Sequence, residues 1–258
     1  MEQIKQINKE VVKSEIEFFG LRYENPITYC GILCPIAIWK RSLVLKQLFV
    51  FDLDGTLINS LEDLAESTNR ALAQNGFPQY PAQRYRTFVG DGVGMLVKRA
   101  LGSAATPENE EKILAGFNRE YAAHYADHTR PYPGIPGALL ALAQKGVRCA
   151  VLSNKPDHFV KEIVARMFPG FSFAWVQGKA EGFARKPDPA SLLHILQSLA
   201  APKEGVLYIG DSNVDIETGK RAGVETCGVT WGFRGRAELE AAGASYVAQT
   251  PGELPALA

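Results

Sequence analysis

The chain has 258 residues, 46% of them apolar, and 28 Lys and Arg offset 28 Asp and Glu. That length allows one large domain or two smaller ones around a real core. Zero net charge without a dense Lys/Arg stripe argues against a nucleic-acid partner, whereas one local cationic site would serve a small anion.

Residues 1–46 differ from the rest and read as an N-terminal extension of unknown role. Apolar residues at Ile4, Ile7, Val11 and Val12 predict a helix over Ile4–Phe19. Val44 or Leu45 stands as an alternative start of the chain. The run Ile27–Trp39 is broken by Gly31 and Pro35 and is shorter than the roughly 20 apolar residues of a spanning helix. No signal-peptide cleavage pattern follows it. Cys30 and Cys34 have no nearby His or further Cys to complete a metal set, and Cys149 and Cys227 lie in apolar runs. This usage suits a reducing cytoplasm.

From Leu48 onward strands and helices alternate. Leu48–Phe51 reads as a strand and Leu61–Asn75 as a helix stopped by Gly76. Residues 80–130 read as helical, broken at Gly90–Gly94 and near Gly102–Pro107, with no strand between Ser60 and Pro133. A cluster of Pro131, Pro133, Gly134, Pro136 and Gly137 looks like a hinge. Strands follow at Val147–Leu152, Ala174–Gln177, Val206–Ile209 and Glu225–Val229. Helices are expected at Pro156–Met167, Pro189–Leu199, Val214–Ala222 and Arg236–Ala242. The pattern predicts an α/β fold, a doubly wound parallel sheet with a Rossmann-like core. Residues 47–60 and 133–258 form that core, and 61–132 an inserted helical cap.

Ligands of open parallel sheets sit beyond the carboxyl ends of the strands. There the sequence places Asp52, Asp54, Gly55 and Thr56; then Ser153, Asn154 and Lys155; then Gly210, Asp211, Ser212 and Asp215. Lys186, Pro187 and Asp188 precede a helix. Clustered carboxylates are unfavourable without a cation, and oxygen-only ligands suit Mg²⁺. A lysine, a hydroxyl and an amide beside them suit a phosphate. Metal, phosphate and a spare carboxylate together point to phosphoryl transfer. A calcium loop does not fit, because the glycine is fourth and the twelfth residue is Asp63. Nor is Gly90–Gly94 a dinucleotide fingerprint, since Met95 holds the third glycine position.

Asp52-Leu53-Asp54-Gly55-Thr56, Ser153-Asn154-Lys155, Lys186-Pro187-Asp188-Pro189 and Gly210-Asp211-Ser212-Asn213-Val214-Asp215 resemble, in order, the four motifs of the haloacid dehalogenase superfamily. The resemblance spans about residues 47–232. It implies Asp52 as the nucleophile that forms an aspartyl-phosphate and Asp54 as the general acid and base. It implies Ser153, Asn154 and Lys186 around the phosphoryl oxygens. Mg²⁺ would be held by Asp52, the Asp54 carbonyl and Asp211, with Asp215 holding its water shell. The insert resembles the family's small helical cap, which closes over the site.

Phe88–Gly94 and Trp231-Gly232-Phe233-Arg234, followed by Ala242–Tyr246, resemble the phosphoglycolate phosphatases in particular. The reading is a Mg²⁺-dependent phosphomonoester hydrolase acting on a small phosphorylated metabolite, with phosphoglycolate as the expected substrate. Pyrophosphatase, sugar-phosphate phosphatase and a β-phosphoglucomutase-like phosphotransferase are alternatives that the catalytic motifs do not separate. Having Asp54, Asp211 and Asp215 argues against a dehalogenase, and having both Asp52 and Asp54 argues against a non-enzymatic binder.

Overall fold

A computed structural model describes residues 45–258. The helix expected at Ile4–Phe19, the Ile27–Trp39 run, Cys30 and Cys34 lie outside them.

The first strand, β1 (Leu48–Phe51), is four apolar residues with almost no exposure. It is followed by β2 (Ile58–Asn59), then by helices α1 (Leu61–Gln74), α2 (Ala82–Tyr85), α3 (Val93–Leu101) and α4 (Pro107–His124). After β3 (Arg130–Pro131) come α5 (Ile135–Gln144), β4 (Arg148–Pro156), α6 (Asp157–Met167), β5 (Trp175–Lys179) and α7 (Ala190–Ser198). The chain ends with β6 (Val206–Gly210), α8 (Asn213–Ala222), β7 (Glu225–Val229), α9 (Arg236–Ala241), β8 (Tyr246–Ala248) and a 3₁₀ turn at Pro251–Leu257.

Six strands form one parallel sheet in the order β5-β4-β1-β6-β7-β8. The two-residue period of a strand sorts its side chains onto two cores. Phe49, Phe51, Val151, Leu207 and Ile209 face one core with α5, α6 and the insert. Leu48, Val50, Ala150, Leu152 and Tyr208 face the other, with Leu192, Ile195 and Leu196 of α7. β1 lies between β4 and β6, so its carboxyl end opens at the centre of the sheet.

Four features depart from the sequence reading, one of them the unforeseen edge strand β8. Arg130–Pro131 pairs antiparallel with Ile58–Asn59, so the two crossings between sheet and insert form a short ribbon. Two residues are too few to show a period. The proline- and glycine-rich hinge continues directly into α5, with Gly134 in the left-handed region as its N-cap and Pro136 in the first turn, where a missing N–H costs nothing. β4 runs on through Ser153, Asn154 and Lys155, and its register with β5 shifts between Leu152 and Pro156.

Asp63 anchors the crossing. Its buried carboxylate accepts from His128 N and Thr129 N, both at 2.8 Å, and from Thr129 Oγ1 at 2.6 Å. Within the insert, α1 packs closely on α4 where Gly116 faces Ala71.

Candidate active site

The residues named from the sequence converge on one cavity at the carboxyl end of the sheet. It is lined by Asp52, Asp54, Ser153, Asn154, Lys186, Asp211 and Asp215 from the sheet side, and by Val89, Gly90, Leu96, Phe117 and Tyr121 from the insert.

Asp52 directly follows β1, and its N–H donates to Ile209 O at 2.8 Å. The chain then turns tightly: Leu57 N and Ile58 N both donate to Leu53 O, and Gly55 N to Ile58 O. Leu53 is buried in the core, while Asp52 and Asp54 both reach the cavity. Gly55 has φ +85°, and a Cβ there would lie 2.2 Å from Asp211 Oδ2. The turn therefore needs glycine for both its backbone and its approach to the acidic group. Gly232 is confined in the same way, between Asp211 and Gly55 O.

Carboxylate oxygens of Asp52, Asp211 and Asp215 lie within 4.8 Å of one another, and all three residues are buried. Lys186 Nζ bridges two of them, at 2.8 Å from Asp52 Oδ1 and 2.7 Å from Asp215 Oδ1. Asp215 Oδ2 also accepts from Ser212 N and Oγ, closing the capping box that starts α8. Asp211 accepts from Phe233 N at 2.6 Å.

One lysine does not balance three buried acids. Burial raises the Asp52 carboxyl to about 7; Lys186 opposes the rise, and Asp215 and Asp54 add to it. Burial, then the charges of Asp215 and Asp52, push Asp211 well above the usual carboxylate range. Burial alone would lower the Lys186 ammonium, but Asp215 and Asp52 hold it well above its ordinary value. Such an oxygen-only donor set fits a hard divalent cation, which would favour the ionised form of each acid.

Asp54 has different neighbours. Lys155 Nζ lies 2.8 and 3.0 Å from its two oxygens, and Ser60 Oγ donates to Oδ1. The same ammonium sits 5.0 Å from the centroid of the Tyr121 ring on α4. In the sequence Lys155 stands out only as part of a motif. Its sole sequence signal was its position after Ser153-Asn154, because a pairing 101 residues apart leaves no local pattern.

Ser153 and Asn154 lie where the pairing of β4 with β5 is irregular, a common position for functional side chains. The Asn154 side chain is taken up by backbone. Oδ1 accepts from Lys186 N at 2.8 Å, and Nδ2 donates to Lys186 O at 3.1 Å and Gly90 O at 3.3 Å. It thereby orients Lys186. The lining residues together enclose room for a small molecule.

A model described as haloacid dehalogenase-like hydrolase matches residues 49–229. The phosphoglycolate phosphatase of Pseudomonas putida KT2440 is 36% identical over 208 residues, 79% of this chain and 76% of that protein. Phosphoglycolate phosphatase 1 of Pseudomonas aeruginosa PAO1 is 36% identical over 194 residues, 73% and 71% of the two chains. A solved structure from Lactobacillus delbrueckii subsp. bulgaricus superposes with a TM-score of 0.79 at 32% identity, covering 82% of this chain and 97% of its own. The match spans all four motifs and the insert between the first two, and the sheet order and acidic cluster agree with it: the chain belongs to the haloacid dehalogenase-like hydrolase family.

Proposed function

We propose that this chain is a Mg²⁺-dependent phosphomonoester hydrolase whose substrate is 2-phosphoglycolate. The observation that carries the reading is the buried Asp52–Asp211–Asp215 cluster bridged by Lys186, with the separately held Asp54 in the same cavity. The names of the two Pseudomonas relatives supply the substrate. Residues 61–132 serve as the cap over a core of 47–60 and 133–258.

Asp52, the Asp54 carbonyl and Asp211 would hold Mg²⁺, with Asp215 around its waters, and the ion would supply positive charge to offset that of the phosphoryl oxygens. Lys186, the Ser153 hydroxyl and the Asn154 N–H hold those oxygens. An Asp52 carboxylate oxygen attacks phosphorus, the ester P–O bond breaks, and the leaving oxygen takes a proton from Asp54. Asp54, now a carboxylate, takes a proton from water. The hydroxide attacks phosphorus, freeing phosphate and restoring Asp52. Lys155 and Ser60 aim Asp54, and apolar cap residues such as Leu96 and Phe117 keep stray water out. The cytoplasm suits free, buried Cys149 and Cys227; among the described residues no helix is long and apolar enough to cross a membrane.

A phosphate-release screen with and without Mg²⁺ tests this, using 2-phosphoglycolate, pyrophosphate and sugar phosphates. The expected result is Mg²⁺-dependent release, highest from 2-phosphoglycolate and reduced at least about a thousandfold by Asp52→Asn. Higher release from pyrophosphate or a sugar phosphate would replace the substrate. Full activity of Asp52→Asn, with deamidation excluded by mass, would overturn the mechanism.

A further inference from the structure

Among the described residues, three cationic side chains line the cavity: Lys155, Lys186 and Arg234. Lys155 is paired with Asp54 and Lys186 with Asp52 and Asp215, while Arg234, whose charge also acts on Asp211, makes no ion pair with a cavity-lining residue among the described residues. Arg234 is held only along one side of its guanidinium. Nη2 donates to Val89 O at 2.9 Å, and Nε lies 3.4 Å from Glu238 Oε1. Nη1 is buried and has no acceptor among the described residues. A buried charged donor without a partner is unfavourable, so this one calls for an acceptor. The planar fork of arginine matches a carboxylate better than a lone carbonyl.

Arg234 reaches the same cavity from beside the acidic cluster. The residue before it, Phe233, donates its N–H to Asp211 at the acidic cluster, and Arg234 extends from there to Val89 in the insert. A group bound by Nη1 would share the cavity with a phosphoryl group held at Lys186.

We propose that Arg234 determines specificity by binding a carboxylate on the substrate. This rests on the phosphomonoester reading above and adds the residue that selects the ester. Arg234 also joins the sheet side to the insert at Val89. Closure over an ester lacking the carboxylate leaves a charged donor buried and unpaired, a strong basis for rejection.

The test compares 2-phosphoglycolate with 2-hydroxyethyl phosphate, in which a neutral hydroxymethyl group replaces the carboxylate. The readout is the ratio of their kcat/KM values for the wild type, Arg234→Gln and Arg234→Lys. The wild type favours 2-phosphoglycolate. Arg234→Gln lowers the ratio at least tenfold, and Arg234→Lys restores part of it by returning charge without the fork. A ratio that stays within twofold in Arg234→Gln, even with both activities reduced, makes Arg234 only a link to the insert and overturns the inference, while turnover of both esters leaves the proposed function standing. Thermal stabilisation by each ester in the presence of Mg²⁺ reads the same preference without turnover. If the wild type hydrolyses neither ester, the proposed function fails. The inference then stands if 2-phosphoglycolate stabilises the wild type more and Arg234→Gln removes that difference, and it falls otherwise.

Discussion

Asp52 carries an electrostatic conflict that can be measured apart from catalysis. Its folded carboxyl keeps a proton up to about pH 7, while the unfolded chain releases it near 3.8. The folded state therefore binds more protons between those values, and stability falls as pH rises through that window. The contribution is fully present below 3.8 and lost above about 7. Asparagine mimics the protonated form. In chelator-treated protein, Asp52→Asn should match the wild type near pH 4 and exceed it above pH 7 by up to about 4 kcal/mol. Thermal melts across pH check this; a constant difference would mean that Asp52 is not held neutral by burial. At this scale most of the site was legible in the sequence, because each motif keeps its residues side by side. Lys155 as the partner of Asp54, and Asn154 as a brace for Lys186, were not, since each depends on a contact between distant segments.

At the scale of elements, two local devices hold the site. The Asp52–Thr56 turn places the Asp52 and Asp54 side chains in one cavity only because Gly55 leaves room for Asp211. Gly55→Ala should cut turnover about 100-fold, as a displacement near 1 Å does at a reacting centre. It should also raise the Mg²⁺ concentration needed for half-maximal rate. A kinetic Mg²⁺ titration distinguishes this from simple unfolding, which would lower rate without moving the midpoint. The second device is Asp63, which ties α1 to the chain leading into β3. Asp63→Ala leaves two backbone N–H groups and a hydroxyl without their acceptor, and should cost about 3 kcal/mol in urea unfolding. A loss under about 0.5 kcal/mol would mean that water replaces the carboxylate. The helices and most strands were legible from periodicity. The β2–β3 ribbon and β8 were not: at two and three residues, their pairing partners define them.

At the scale of the whole molecule, the insert meets the sheet side through polar contacts. Arg86 donates to Gly232 O and Phe233 O, Arg234 to Val89 O, and Asn154 to Gly90 O. Tyr121 on α4 sits edge-on against Phe159 of α6, with ring centroids 5.2 Å apart. These polar contacts accompany an apolar core that the insert shares with one face of the sheet. Arg86→Ala removes two charge-assisted bonds from that contact and none from the acidic cluster. It should raise KM for the preferred substrate about tenfold and lower kcat less. Steady-state kinetics decide, and an equal fall in kcat would place Arg86 in the chemistry instead.

By itself the sequence determined the fold class, the strand-end position of the motifs and the class of chemistry. Those depend on local order: runs of apolar residues, the residues that end them and their succession along the chain. Only the tertiary structure decided how the charges are shared. It set Lys186 between Asp52 and Asp215, Lys155 on Asp54, and left Nη1 of Arg234 without an acceptor among the described residues. Charge balance in a buried cavity is a sum over groups from distant segments, and their separations exist only once the sheet has formed and the insert has packed over it.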